Sequence, residues 1–210
     1  MRVSKEKAAR NREQILSSAA HLFRENGIDA TGVDSITEAV GLTHGGLYSH
    51  FDSKQTMAAE AVRFALARSR RRWRRTAESK ARDEAFAVIA GDYLSREHRD
   101  ARGNGCLVAA LSCEIARQPP AVRRAFTQEL KGVLEFLSHL MPDGIVARRR
   151  EDAIAMFACM VGALILARAV NDEALSRRIL KAAEKRLDKV ATGRRPVRRR
   201  ASATRVRASA

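Results

Sequence analysis

The chain has 210 residues, of which 45% are hydrophobic and 5% aromatic, with four prolines and twelve glycines. That length suits one large domain or two small ones, and the wealth of Ala, Arg, Glu and Leu excludes a turn-rich sheet protein in favour of helices. The net charge of +16 and sequence pI of about 11.0 exclude an acidic chain and point to polyanionic partners.

The charge is unevenly placed. Residues 1–60 carry seven Lys/Arg against eight Asp/Glu, whereas residues 191–210 carry seven Arg and no acid. Contacts to a polyanion from the first sixty residues must therefore come from placed groups rather than bulk charge. Three cysteines, Cys106, Cys113 and Cys159, form no CxxC or Cys/His set with metal-ligand spacing, so no metal and no cofactor is expected. Sparse cysteines suit a reducing cytoplasm. No signal-peptide core follows the charged N-terminus. The most apolar run, Ala153 to Ala167, is about 15 residues, short of the roughly 20 that span a bilayer, and reads as a buried helix with no membrane partner.

In chain order, Ile15, Ala19, Leu22 and Phe23 recur at helical spacing and predict a helix from Asn11 to Asn26, stopped by Gly27. Thr31, three residues before Asp34, predicts the capped start of a second helix with Val33, Ile36, Ala39 and Val40 on its apolar face. Gly41 ends it. Leu42 plugs the turn, and Thr43 caps a third helix, His44 to His50. Asp52 and Gln55 start a fourth helix running to about Ala77. The pattern stays helical to about residue 190. Breaks are expected near Lys80, at 102–105, at Pro119–Pro120, at 142–144 and near Asn171–Asp172, giving about nine helices. Residues 191–210 lack apolar periodicity and read as a disordered tail.

The segment TGVDSITEAVGLTHGGLYSHFDSK concentrates the chemistry. A recognition helix enters a groove about 12 Å wide only with a slim tip. Gly45 and Gly46 supply one, at about 1 kcal/mol each in helix propensity relative to Ala. The alternative is that the pair permits tight packing against the first helix. Thr43 caps the helix or donates to a phosphate, and Tyr48 directs a hydroxyl at the DNA backbone or sits partly in the core. His50 donates from the other flank or is a satisfied internal histidine, and Lys54 is a point charge for phosphate. Leu47 and Phe51 read as core. The helix lacks Arg, Asn and Gln for bidentate base pairing, so specificity leans on DNA shape and water.

This segment resembles the N-terminal DNA-binding domain of the TetR/AcrR family of bacterial transcription regulators, with a Val-x-x-Ile helix, a Gly-Leu turn, a small recognition helix, Tyr-x-His-Phe and a Lys opening the next helix. The resemblance spans about Asn11 to Ala61. Downstream, GCLVAALSCEIARQPPAVRRAF is similar to a segment of some family members. By resemblance, Thr43, Tyr48, His50 and Lys54 contact the DNA backbone, while His44, Gly45 and Ser49 face bases. The resemblance implies an all-α fold with a three-helix helix-turn-helix domain at 1–51 and a larger helical effector-binding and dimerisation domain at 52–190.

Two apolar helices, Asp152 to Val170 and Asp172 to Val190, can pair with their copies as a four-helix interface through Phe157, Val161, Leu164, Ile165, Ile179 and Leu187. Intramolecular packing is the other reading. The resemblance also implies an effector pocket, for which Trp73, Phe86, Tyr93 and Phe126 are candidates, each equally readable as core. Cys106, at a helix start with Arg99 and Arg102 nearby in sequence, is a candidate redox-sensing thiol or a small buried hydrophobe. A dense basic run, Arg68, Arg70, Arg71, Arg72, Arg74 and Arg75, either extends the field toward DNA or is a solvated face.

These readings combine into a cytoplasmic, nucleoid-associated homodimer that binds a palindromic operator in double-stranded DNA, a repressor released by an unknown small-molecule effector. Two rivals are a non-specific architectural DNA-binding protein and an enzyme using Cys106 with a histidine such as His98. No catalytic signature flanks that pair, and a non-enzyme is expected.

Overall fold

The structure, a computed structural model, describes residues 5–142 and 145–191, and every regular element among them is an α-helix. The helices are α1 (Lys5–Asn26), α2 (Val33–Val40), α3 (His44–Tyr48), α4 (Lys54–Glu78) and α5 (Arg82–Tyr93), followed by α6 (Arg96–Asp100), α7 (Leu107–Ile115), α8 (Pro120–Leu140), α9 (Val146–Ala169) and α10 (Glu173–Ala191). The architecture is a three-helix helix-turn-helix head followed by a larger helical lobe.

The described residues hold ten helices against the expected nine, because Ser95 divides one. Its backbone is extended and its Oγ accepts from His98 N at 3.1 Å, so it ends α5 and caps α6. Three expected starts differ for similar reasons. Thr31 does not cap α2; its buried hydroxyl donates to the Gly27 carbonyl at 2.6 Å and closes the α1–α2 loop. Ser53 rather than Asp52 caps α4, accepting from Thr56 N at 3.1 Å. Helix α1 is described from Lys5, six residues before the expected Asn11. The tail reading for 191–210 falls almost wholly outside the described residues.

The head core joins Ile15, Ala19 and Phe23 of α1 to Ile36 of α2, Leu47 of α3 and Met57 of α4, each fully buried. Burying a large apolar side chain contributes about 1.5–3 kcal/mol. Helix α4 is shared between head and lobe. Arg12 of α1 pairs with Glu60 early in α4, while Arg70, later in α4, pairs with Glu129 of α8 at 3.0 Å. In the lobe, α4 packs on α8, α8 on α9, and α9 on α10. Helix α9 is long and apolar enough to cross a bilayer by composition. Its inner face is nevertheless core, with Ala153, Met156, Phe157, Met160, Ala163, Leu164 and Ala167 buried against its neighbours.

A buried cation ties the far end of the lobe together. Arg99 donates to Asp100 at 2.7 Å, to Glu173 at 2.8 Å and to Ser176 at 2.8 Å, so α6 is pinned to the start of α10. These carboxylates hold the Arg99 pKa above its ordinary value. Arg168 of α9 donates to the carbonyls of Arg99 and His98 at 2.9 and 2.8 Å.

The α6–α7 loop is packed too closely for a side chain at Gly105. A Cβ there would lie 2.9 Å from the Ala101 carbonyl and 2.7 Å from Arg168 Nη2. The backbone contact cannot swing aside. Gly105→Ala is expected to lower stability by about 1–3 kcal/mol, read as a lower denaturant midpoint. An unchanged midpoint would show that the loop yields freely.

Candidate nucleic-acid interface

Helix α3 contains five residues and owes its position to three local devices. Gly41 adopts φ +66°, and its N–H and that of Leu42 close the end of α2 on the Glu38 and Thr37 carbonyls. The left-handed conformation there favours glycine. Thr43 Oγ1 then accepts from Gly46 N at 3.1 Å, capping α3. Leu47 is completely buried and anchors the helix in the head core. At the other end Ser49 Oγ donates to the Gly46 carbonyl at 2.7 Å.

The residues singled out in the sequence lie around this anchored helix. Thr43, His44, Gly45 and Ser49 are exposed, Tyr48 is 46% exposed, and Gly46, His50 and Lys54 are half-buried. The Thr43 oxygen is used in the cap, which leaves its hydroxyl hydrogen to donate outward. The Tyr48 ring stacks parallel to His44, with centroids 5.9 Å apart. His44 Nδ1 is 3.0 Å from Asp34 Oδ1 on α2. Asp34 thus orients the first residue of α3, a role its sequence position at a helix start did not reveal. Lys54 Nζ donates to the Asp29 carbonyl at 3.2 Å, tethering α4 to the α1–α2 loop.

Gly45 and Gly46 differ. A Cβ on Gly46 would meet Thr43 Oγ1 at 3.4 Å and the Leu42 side chain beyond it, whereas one on Gly45 would meet nothing within 4 Å. Internal packing therefore gives no reason for glycine at position 45, which faces outward. Arg12, which sequence reasoning did not single out, sits at the base of the head. Its guanidinium lies 4.7 Å above the Phe51 ring, a cation–π contact.

The head is joined to the lobe at the α1–α2 loop. Glu114 of α7 accepts from Asp29 N at 2.7 Å, and Gln118 donates to Asp29 Oδ1 at 2.8 Å. Gly27, with φ +91°, turns the chain directly over Glu114.

In the lobe, Trp73, Tyr93 and Phe157 form an aromatic cluster with centroids 6.1–6.4 Å apart. With Cys106 and His98 they border a crevice of about 10 Å³, room for about one water. Phe86 is fully buried on α5, and Phe126 is half-buried on α8, outside this crevice. Among the interface candidates, Phe157, Leu164 and Leu187 are buried inside the chain. Val161 and Ile179 are half-buried and Ile165 is exposed, as are Ile154, Leu166 and Leu175. Cys106 is half-buried at the start of α7 and Cys113 is exposed. Among the described residues no His/Cys/Asp/Glu group could hold a metal ion.

His98 is held in one protonation state by its neighbours. Its Nδ1 is 2.6 Å from the Tyr93 carbonyl and must donate, while Nε2 accepts from Cys106 N at 3.0 Å. The ring is therefore neutral. Burial, opposed by the Tyr93 hydrogen bond, lowers its pKa below the ordinary value. Burial, and then the adjacent Cys106 sulfur, pushes the Tyr93 hydroxyl well above its usual range.

Residues 15–61 match the family model described as bacterial regulatory proteins, tetR family. The HTH-type transcriptional repressor KstR2 of Rhodococcus jostii is 48% identical over 52 residues, 25% of this chain and 26% of that protein. The HTH-type transcriptional regulator AcrR of Shigella flexneri is 36% identical over 59 residues, 28% of this chain and 27% of that protein. The matched segment thus spans about a quarter of these relatives. Over most of the chain the fold is similar to that of solved structures. The reduced form of NemR from E. coli superposes with a TM-score of 0.74 at 19% identity, covering 86% of this chain and 96% of that one. A TetR transcriptional regulator from Chloroflexus aurantiacus gives 0.73 at 24% identity, covering 89% and 96%.

The His98 geometry carries a pH dependence. A histidine whose folded pKa lies below its unfolded value of about 6.5 leaves stability intact above that pH and removes it as pH falls through the lowered folded value. The denaturant midpoint should drop between about pH 7.5 and pH 5, and His98→Gln should make that drop shallower. An equal drop in the variant would mean that His98 is not the titrating group.

Proposed function

We propose that this chain, whose N-terminal domain belongs to the TetR family of bacterial regulatory proteins, is a one-component transcription regulator. Two copies bind a palindromic operator in double-stranded DNA, and the protein acts as a repressor that a small-molecule effector releases. Its chemistry is binding rather than turnover. The observation that carries this reading is the vacant space in front of Gly45, on a helix capped by Thr43 and anchored by Leu47. A tip without side-chain bulk can lie against base edges or phosphates.

Around that tip, Thr43, Tyr48, His50 and Lys54 serve the phosphate backbone, which positions the protein, while His44, Gly45 and Ser49 meet bases, which specify sequence. One five-residue helix reads too little DNA alone. A twofold pair presents two, about 34–36 Å apart. The partly exposed apolar residues of α9 and α10, Ile154, Ile165, Leu166 and Leu175, support pairing through that face.

Effector action requires two conformations with different affinity for the ligand. The Trp73–Tyr93–Phe157 cluster supplies apolar walls that would have to part around a ligand. Movement there reaches the head through α7, whose Glu114 holds Asp29 N, and through α4, common to both parts.

Gly45→Ala separates function from stability. Alanine gains up to about 1 kcal/mol of helix propensity, and no neighbour obstructs its Cβ, so the unfolding midpoint should stay level or rise. DNA affinity in a gel-shift titration should fall at least tenfold. Tyr48→Ala should weaken binding to all duplexes alike, as loss of a backbone contact does. If both variants retain full affinity, α3 is not the reading helix.

A further inference from the structure

A second basic feature is left unexplained by DNA recognition. Arg68, Arg72 and Arg75 recur at spacings of four and three on α4, so they share one face. That face looks across at α1, where Ser17, His21 and Arg24 recur with the same spacing. Between the two stripes, and closed at one end by Asn104 and Gly105 of the α6–α7 loop, lies a cleft of about 460 Å³. Two helices in contact ordinarily face each other with apolar residues. Alongside the apolar contact of α1 with α4, these two stripes are cationic and hydroxylic.

The positive charge in the cleft is offset only in part, by Glu25 beside Arg24. None of Arg24, Arg68, Arg72 and Arg75 forms an ion pair among the described residues, although Arg70 and Arg12, on neighbouring turns, do. No carboxylate lines the cleft. Arg24 is the deepest of the four. Its Nε donates to the Gly103 carbonyl at 2.5 Å, which fixes the guanidinium toward the loop without neutralising it. Burial, opposed by Cys106 and Glu25 and aided by the approach of Arg68, lowers the Arg24 pKa to about 10, so it stays charged at neutral pH. Arg24 and Arg68 repel each other across the cleft, with the exposed Arg72 and Arg75 along the same wall, and an anion between them relieves that repulsion. Ser17, Ser18 and Ser69 add hydroxyl donors, and Phe64 and Ala65 form an apolar wall.

DNA bound at α3 does not reach this place. Arg68 lies fourteen residues beyond Lys54 along α4, about 21 Å at 1.5 Å per residue, and Arg75 lies farther still. The crevice among the aromatic residues is also separate, although Ser69 and Arg72 border both.

We propose that the cleft between α1, α4 and the α6–α7 loop binds a small phosphorylated anion, held by Arg24, Arg68, Arg72 and Arg75. Guanidinium forks match phosphoryl oxygens in bidentate pairs, and the volume accommodates a compact metabolite carrying two or more negative charges. The occupant bridges head and lobe, since α1 belongs to one and the loop to the other. This assignment does not depend on the DNA-binding reading.

Calorimetric titration of the full chain with inorganic pyrophosphate, at constant ionic strength, tests the site. The expected result is saturable binding at one site per chain. Arg68→Gln/Arg72→Gln should weaken it at least tenfold. Both residues are exposed and bear no ion pair, and an unchanged unfolding midpoint without ligand checks that the variant folds. Arg123→Gln/Arg124→Gln, on the exposed face of α8, removes the same charge elsewhere and should change affinity less than twofold. All variants retain the arginines of residues 191–210, so any binding there is common to them. Absence of saturable binding, equal weakening in the two variants, or binding of citrate but not pyrophosphate would overturn the proposal.

Discussion

The burial of Leu47 is the contact on which the rest of the structure depends. A helix of five residues cannot sustain itself, because nucleating the first turn costs more than one or two hydrogen bonds return. Two glycines in those five residues add to the cost. Helix α3 persists because Leu47 is fully enclosed by the head core, Thr43 satisfies the Gly46 amide, and Gly41 turns the chain in a conformation that glycine favours. Its exposed face is thereby released from any structural duty. His44 stacked on Tyr48 and held by Asp34 shows that even its side chains are partly ordered before any ligand arrives. Such preorganisation lowers the entropy lost on binding.

Helix α4 runs from that rigid head into the lobe, and specific side-chain contacts add to it. Glu114 and Gln118 hold the two ends of Asp29, Lys54 holds its carbonyl, and the α6–α7 loop lies on the last turns of α1 through Glu25 and Arg24. All are polar. Polar contacts of this kind rearrange at small net cost, since each broken hydrogen bond is worth about 0.5–1.5 kcal/mol. One apolar core cluster runs through both parts and resists deformation.

Much of this was legible in the sequence. The apolar spacing on α1, the Gly41 stop, the Thr43 cap and the burial of Leu47 and Phe51 are local signals, and the structure bears them out. On α2 Ile36 is buried as expected, but Ala39 is exposed and Thr37 is buried in its place, its hydroxyl donating to the Asp34 carbonyl. Local rules faltered where a side chain had two suitors. Thr31 could cap α2 or close the loop behind α1, and Ser53 competed with Asp52; tertiary placement selects between them. Ser95 divided a helix whose apolar pattern runs through it. The arginine run in α4 was ambiguous for a related reason. A run points every way around a helix, and the partner of each arginine comes from α1, α8 or solvent, which spacing alone cannot say. Arg70 finds Glu129, whereas Arg68, Arg72 and Arg75 find a cleft. Interface candidates on α9 divide likewise between an inner and an outer face.

The central claim, that two copies of one slim helix read DNA in register, is tested most directly by selecting bound fragments from a random duplex pool with the full-length protein. The account predicts enrichment of an inverted repeat whose half-sites lie about 10–10.5 base pairs apart, or a multiple of that. Recovery of a pool indistinguishable from the input, or of a single unrepeated motif, would contradict it.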